Sequence, residues 1–449
     1  MRQCTLPGVR DLLALAAANP RHYPCLFESA AGGGTQARYD MLLAFPQDSL
    51  TLCADGRVRD ANGADRGADF LGVLDAAWRA ECVAHADSRL PFRGGWAVFL
   101  GYELAAQIEP HLHLPAPAEA PIPTALALRC PAAIIIDRHA EQTFLIAENT
   151  HADLLGAMGA DLESAPASLA AAPIAMSVEE DAPAKFLDGI ARIHEHLRAG
   201  DTFQVNLSRE WRVQYATAPP PAALYASLRL ANPAPFAALL QCQDWALASS
   251  SPERLVEVRG GIAQTRPIAG TRPRLHGDDD AARMRELIDH PKERAEHVML
   301  IDLERNDLGR VCTPGSIRVD ELMTVESYAH VHHIVSNVRG ELRAGVTPGE
   351  VLRAVFPGGT ITGCPKLRTM QIIAGLEGVG RGAYTGALGY LNRDGDMDFN
   401  ILIRTLTQHG NCVRLRAGAG IVIDSVAERE LEETRAKARG LLRACGAPG

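Results

Sequence analysis

The sequence predicts an α+β protein. Strand-like and helical stretches are mixed along the chain without the regular βαβ alternation that builds a doubly wound sheet. An apolar share of 47% against 22% charged residues, in 449 residues, supports a sizeable core in one large domain or a few smaller ones.

The elements follow in order. Arg38 to Phe45, Leu50 to Cys53, Phe92 to Tyr102 and Ala133 to Asp137 read as strands, and Phe70 to His85 as a helix. Pro115 to Pro123 is rich in Pro and Ala, and Thr150 to Pro183 in Ala, Ser and acids, so both are expected as loops. A boundary placed in the second divides the chain into a region 1–150, a linker 151–183 and a region 184–449. The later region opens on an amphipathic helix, Ala184 to Ala199. Phe186, Ile190, Ile193 and Leu197 recur there at helical spacing, and Gly200 is its natural stop. A strand with Phe203, Val205 and Leu207 follows, then a helix near Pro220 to Leu230, strands from Phe236 to Ser249 and a turn at Gly260-Gly261. A helix is expected over Asp279 to Asn306, strands over Tyr384 to Leu391, Phe399 to Leu406 and Val413 to Ala417, and a last helix over Ala427 to Ala444.

The bulk composition excludes several function classes. A net charge of −9 disfavours a nucleic-acid partner. Apolar runs such as Ala132 to Ile136 are far too short to cross a bilayer, so no membrane role is expected. The ten cysteines are scattered and none forms Cys-x-x-Cys. That argues against structural zinc or a redox motif and for reduced thiols in the cytoplasm.

Chemistry concentrates in the later region. Glu293 and Glu296 form one Glu-x-x-Glu step, and Glu430 and Glu433 another, with Lys437 one turn beyond. Residues three apart share a helix face, so each step projects two carboxylates together. Brought together, four acids would make a hard oxygen cage suited to Mg²⁺; apart, they are solvated helix faces. Pro267 to Arg274 is a glycine- and threonine-bearing loop, either an anion cradle or a turn with a basic rim. Phe356 to Lys366 is Gly-rich but lacks the order of a phosphate loop, so a structural turn is favoured. Gly418-Ala419-Gly420 lacks the third glycine of a dinucleotide fingerprint, and backbone contact with a carboxylate is the better functional reading. Arg404 on an apolar strand needs a partner, either a structural acid or a substrate carboxylate. Tyr384 opens the preceding strand. Of His330, His332 and His333, a catalytic or hydrogen-bonding His333 is preferred to a metal site.

Taken in order, these stretches resemble the chorismate-utilising enzymes. The resemblance is carried over 184–449 by Gln204-Val205-Asn206-Leu207-Ser208, Ser251-Pro252-Glu253, the Pro267 to Arg274 loop, Asp302 to Arg310, the Phe356 to Lys366 loop and Gly418-Ala419-Gly420. Residues 1–150 are similar, more weakly, to the N-terminal region of anthranilate synthase and aminodeoxychorismate synthase large subunits, through Leu26-Phe27-Glu28-Ser29, Arg38-Tyr39-Asp40 and Gly94 to Glu103. The resemblance implies one α+β unit with two β-sheets packed together and helices outside. It implies Mg²⁺ held by Glu296 and Glu433, with Glu293 and Glu430 in the same cluster, against the ring carboxylate of chorismate. Arg404 and Tyr384 would clamp the enolpyruvyl carboxylate, and Gly418, Gly420 and Lys437 would help hold carboxylate oxygens. Gly270, Thr271 and His333 would sit near the departing C4 hydroxyl, with Glu253 as general acid and base. Ser29 is implied as part of a tryptophan site.

Within the family, members that add water carry lysine at the place of Gln204, so Gln204 implies ammonia, supplied by a separate glutamine amidotransferase subunit. Asn206 and Gly358-Gly359 depart from the anthranilate pattern and imply amination at C4, the reaction that feeds p-aminobenzoate and folate. Ala269 pulls the other way, because many C4-aminating members have a lysine there. The alternatives are therefore anthranilate synthase component I, with amination at C2 and loss of pyruvate, and a non-catalytic homologue that binds tryptophan or chorismate.

Overall fold

The computed structural model describes all residues except 31–37, 86–88, 117–121, 167–168, 170, 172–173, 274–283, 286–290, 328–330 and 448–449. Among the described residues the strands form two twelve-stranded sheets, and every ladder is antiparallel. Neither sheet belongs to one part of the chain. Cys25–Glu28 pairs with Phe236–Gln241 in the first sheet, and Gly95–Leu100 pairs with Ala387–Asn392 in the second. Residues before 151 and after 183 thus contribute neighbouring strands to both.

The layering follows from alternation along strands that are apolar on both faces. In Ala132–Asp137, Ala133 and Ile135 join a core that also holds Phe99, Leu126 and Leu388 of the other sheet. Ile134 and Ile136 face the opposite way, against Leu12, Leu13 and Met158 of two outer helices. The second sheet buries its outer face against Phe70, Leu74, Val351 and Leu352. The order is helices, sheet, sheet, helices, the sandwich that the resemblance implied.

Most elements lie where the spacing predicts them. The amphipathic helix is Pro183–Ala199, capped by Gly200 at φ 77°, a left-handed conformation that glycine adopts without strain. The last helix is Ala427–Ala444. Four expectations change. The stretch expected as a loop around 150–183 carries a helix, Leu154–Ser164, and a strand, Ser177–Glu180. Its Met158 is fully buried, and that one anchor was masked by the Ala- and Ser-rich composition. The helix with Glu293 and Glu296 is Pro291–Gly309, and most of the expected stretch before it lies outside the described residues. Tyr384 sits in a turn ahead of its strand, which begins at Ala387. Phe399 to Leu406 is not one strand. Met397–Ile401 belongs to the second sheet and Thr405–His409 to the first, so the chain crosses between sheets at Leu402 to Arg404.

Close strand packing explains several glycines. A Cβ on Gly389 would lie 2.2 Å from the Asp398 carbonyl oxygen and 2.7 Å from Phe399 Cα, both backbone atoms with nowhere to go. Gly389→Ala should therefore destabilise the fold by about 1–3 kcal/mol through overpacking. The check is the midpoint of chemical denaturation; an unchanged midpoint would show that this sheet yields more easily than its geometry implies.

Candidate active site

The crossing between sheets places a charged side chain at an unusual backbone. Arg404 has φ 54°, in the left-handed region that a non-glycine residue enters only when its surroundings hold it there. The turn carrying Thr385, at φ 62°, is pinned to it: Thr385 N–H donates to the Leu402 carbonyl and Leu402 N–H to that of Gly386, both at 2.8 Å. Among the described residues the half-buried Arg404 guanidinium makes no hydrogen bond or ion pair. Burial lowers its pKa, and only the more distant charges of Tyr384, Glu433 and Glu253 favour its cationic form. A desolvated cation without a close partner is a ready receptor for an anion.

Beside it runs the strand Gln204–Gln214, paired along its length with Cys412–Ile421. Gln204, Asn206 and Ser208 share one face by the two-residue period. Gln204 Nε2 donates to Glu296 Oε1 at 3.0 Å, which carries the acid of the Pro291–Gly309 helix to this strand. Opposite lie Gly418 and Gly420. A Cβ on Gly420 would lie 2.3 Å from Gln204 Nε2, and one on Gly418 2.7 Å from Asn206 Oδ1 and 2.8 Å from the Tyr384 hydroxyl oxygen. Only glycine leaves this strand open to so many polar side chains. Lys437 Nζ donates to the Gly418 carbonyl at 2.9 Å and pairs with Glu433 at 2.6 Å, which ties the second acid step to the same strand.

Glu253 is buried where Trp245–Ser251 passes to Arg254–Arg259. Burial pushes its pKa up to about 7, against the lowering influence of the Thr360 hydroxyl, Arg404 and Lys437. Thr360 lies beside it without reaching hydrogen-bond geometry: both Thr360 Oγ1 and Glu253 Oε1 are buried without a partner, as is Gln204 Oε1. Buried polar atoms are nearly always paired, so these atoms, unpaired among the described residues, are open to a ligand. Behind Glu253, burial and Asp307 keep Glu304 protonated well above the usual carboxylate range, while Asp307 pairs with Lys366.

The other expected site residues stand as follows. Gly270 is a bulge residue at φ 62°, and its carbonyl faces His333 Nδ1 at 3.4 Å. The Thr271 backbone pairs with His333, and its side chain lies outside the described residues, as does His330. Glu293 and Glu430 are half-buried in the first turns of their helices. The four acids do not close into one tight cluster. Among the described residues only His85, Asp394 and Asp396 bring three ligand atoms within 4.8 Å, and Arg93 already pairs with both aspartates. Ser29 lines a separate cavity between the sheets with Phe27, Tyr390, Arg254 and Asp398, and its hydroxyl is buried without a partner.

Sequence reasoning missed Thr360 and the ion network of Glu377. Burial alone would raise the Glu377 pKa, but Arg381 and Arg416 more than offset it. Arg381 contacts Glu377 at 2.7 Å, Arg416 at 3.0 Å, and Ser208 donates to it from both N–H and Oγ. The Arg381 guanidinium in turn stacks 5.5 Å from the Tyr384 ring centroid. The i,i+4 spacing of Glu377 and Arg381 was the available signal.

Residues 40–443 match the family model described as chorismate binding enzyme. The chain belongs to the chorismate-binding enzymes. Aminodeoxychorismate synthase component 1 of Bacillus subtilis is 49% identical over 260 residues, 58% of this chain; the match spans 55% of that relative's length. Anthranilate synthase component 1 of Synechocystis is 36% identical over 94% of this chain and 90% of its own. The crystal structure of anthranilate synthase component I from Streptococcus pneumoniae superposes with a TM-score of 0.82 at 31% identity, covering 91% of this chain and 93% of that one. This chorismate-binding enzyme has no helix long and apolar enough to cross a membrane among its described residues.

Two expectations follow for it. Because Glu253 titrates near 7 rather than in the usual carboxylate range, its proton stabilises the fold at acid pH, and that contribution is lost as pH rises through about 7. Glu253→Gln should thus be at least as stable as the parent above pH 8, yet lose about 10²–10⁴-fold in kcat. A variant less stable than the parent in alkaline buffer, or still active, would contradict this. Arg404→Lys keeps the charge but loses the planar fork, and should lower kcat/KM for chorismate by about one to three powers of ten. Unchanged kinetics in a folded variant would make Arg404 merely structural.

Proposed function

We propose that this chorismate-utilising enzyme replaces the C4 hydroxyl of chorismate with ammonia, giving 4-amino-4-deoxychorismate, and that a separate glutamine amidotransferase subunit supplies the ammonia. The observation that carries the choice of substrate is the Arg404 guanidinium, without a partner among the described residues, beside Tyr384 and a buried Glu253 whose pKa burial raises to about 7. Together they suit an anion with a poor leaving group. The choice of C4 rests on Asn206, on Gly358-Gly359 and on the 49% identity to the Bacillus subtilis relative. Ala269 and the longer match to anthranilate synthases favour the rival, amination at C2 with loss of pyruvate. A non-catalytic homologue would have no need of a buried acid poised near pH 7.

In this reading Arg404 and Tyr384 hold the enolpyruvyl carboxylate. Glu253 gives its proton to the departing hydroxyl, which leaves as water, and takes back a proton from the incoming ammonia nitrogen as the new C–N bond forms. No lysine stands at 269, so no covalent adduct forms there. The acids fit Mg²⁺: all are hard oxygen donors, Gln204 engages one oxygen of Glu296, and Glu433 is exposed beside Lys437. Glu296 and Glu433 would hold the ion, with Glu293 and Glu430 nearby. When bound, it supplies a Lewis acid to the ring carboxylate. The Ser29 cavity, with its unpaired hydroxyl, is proposed to take tryptophan.

The test is product analysis with chorismate, Mg²⁺ and ammonium, with and without aminodeoxychorismate lyase. Turnover should stop in EDTA, return with Mg²⁺, and fail with glutamine alone; p-aminobenzoate should form only with the lyase. Anthranilate and pyruvate without lyase would establish the rival, and turnover in EDTA would remove the metal.

A further inference from the structure

Resting on the reading that Tyr384 and Arg404 receive the enolpyruvyl carboxylate, we propose that the side-chain amide of Asn206 is a further substrate-binding group for that carboxylate. The strand face that carries it shows why. Gln204 on one side is engaged by Glu296, and Ser208 on the other by Glu377. Asn206 between them has a buried Oδ1 with no partner among the described residues. Its backbone cannot drift, because its N–H donates to the Thr362 carbonyl at 2.9 Å and its carbonyl accepts from Arg381 Nη2 at 2.8 Å. Arg381 also stacks on Tyr384, so one guanidinium sets the relative position of the two side chains.

Asn206 Oδ1 and the Tyr384 hydroxyl oxygen overhang the same glycine, 2.7 Å and 2.8 Å from where a Cβ on Gly418 would stand. The space they share is open only because Gly418 has no side chain. A half-turn of the amide about its last torsion exchanges Oδ1 for Nδ2 within the same outline and converts the position from acceptor to donor. Among the described residues no donor holds Oδ1 against that turn. A carboxylate arriving beside Tyr384 and Arg404 would select the donor orientation and gain a third hydrogen bond. Asn206 is thereby a group that holds the enolpyruvyl arm while chemistry proceeds on the ring.

The experiment measures chorismate binding by calorimetry and steady-state kinetics for the parent, Asn206→Val and Asn206→Asp. The dissociation constant and KM should rise about tenfold to a hundredfold in Asn206→Val, the loss of one hydrogen bond to a charged group, with a smaller change in kcat. Asn206→Asp, nearly identical in shape, should bind more weakly still, because like charges meet. A ring analogue with a hydroxyl in place of the enolpyruvyl ether should bind parent and Asn206→Val equally. Parent-like chorismate binding in both variants overturns the proposal. So does an equal loss for chorismate and the analogue, which would mark Asn206 as structural. If the parent itself neither binds nor converts chorismate, the reading of the function fails instead, and the two failures are told apart by that control.

Discussion

The site depends on one buried carboxylate. Glu377 is 3% exposed, ends its helix and is held by Arg381, Arg416 and Ser208. Those partners come from three separate places: the turn before Ala387, the strand Cys412–Ile421 and the strand Gln204–Gln214. Removing a partner from such a network leaves an uncompensated buried charge, so the three segments are locked in one arrangement or none. Through Arg381 the lock reaches Tyr384 and the carbonyl of Asn206. The polar wall is thus positioned by a network that need never touch a substrate.

A second constraint is electrostatic. Glu253 and Glu304 both lie in surroundings that resist charge, and Asp307 answers to Lys366. Burial raises the Glu253 pKa, and Thr360, then Arg404 and Lys437, draw it back to about 7. Burial thus holds both carboxyls well above the usual carboxylate range, Glu253 at about 7 and Glu304 at about 8, and each faces its own cations, Arg404 and Lys437 for the one and Lys366 for the other.

Much of this was legible in the residues. The amphipathic pattern from Phe186 to Leu197 fixed a helix and its Gly200 stop because burial of one face dominates there. The acid steps and the glycine pair at 418 and 420 stood out through spacing alone. Arg404 did not. Phe399, Ile401, Leu402, Ile403 and Leu406 keep the stretch largely apolar, and nothing in that pattern announces that two sheets share it. The helix Leu154–Ser164 hid behind small residues, and Asn206 drew notice only as a departure from a family pattern. The Glu377 network was hidden for a different reason: its members are distant in sequence, and ordinary arginines and glutamates are mostly solvated.

The interleaving of the two sheets has a bearing on how the chain acquires its structure. Phe236–Gln241 must find Cys25–Glu28, and Ala387–Asn392 must find Gly95–Leu100, before either sheet has a complete interior. Such contacts close very large loops, and their entropy must be met before any ladder rewards it. During synthesis the early strands emerge with open edges and both faces apolar, long before their neighbours exist. Pairing over such separations is the kind of topology that folds slowly. Until Phe236–Gln241 and Ala387–Asn392 are made, the edges of Cys25–Glu28 and Gly95–Leu100 lack the neighbours they pair with in the finished sheets.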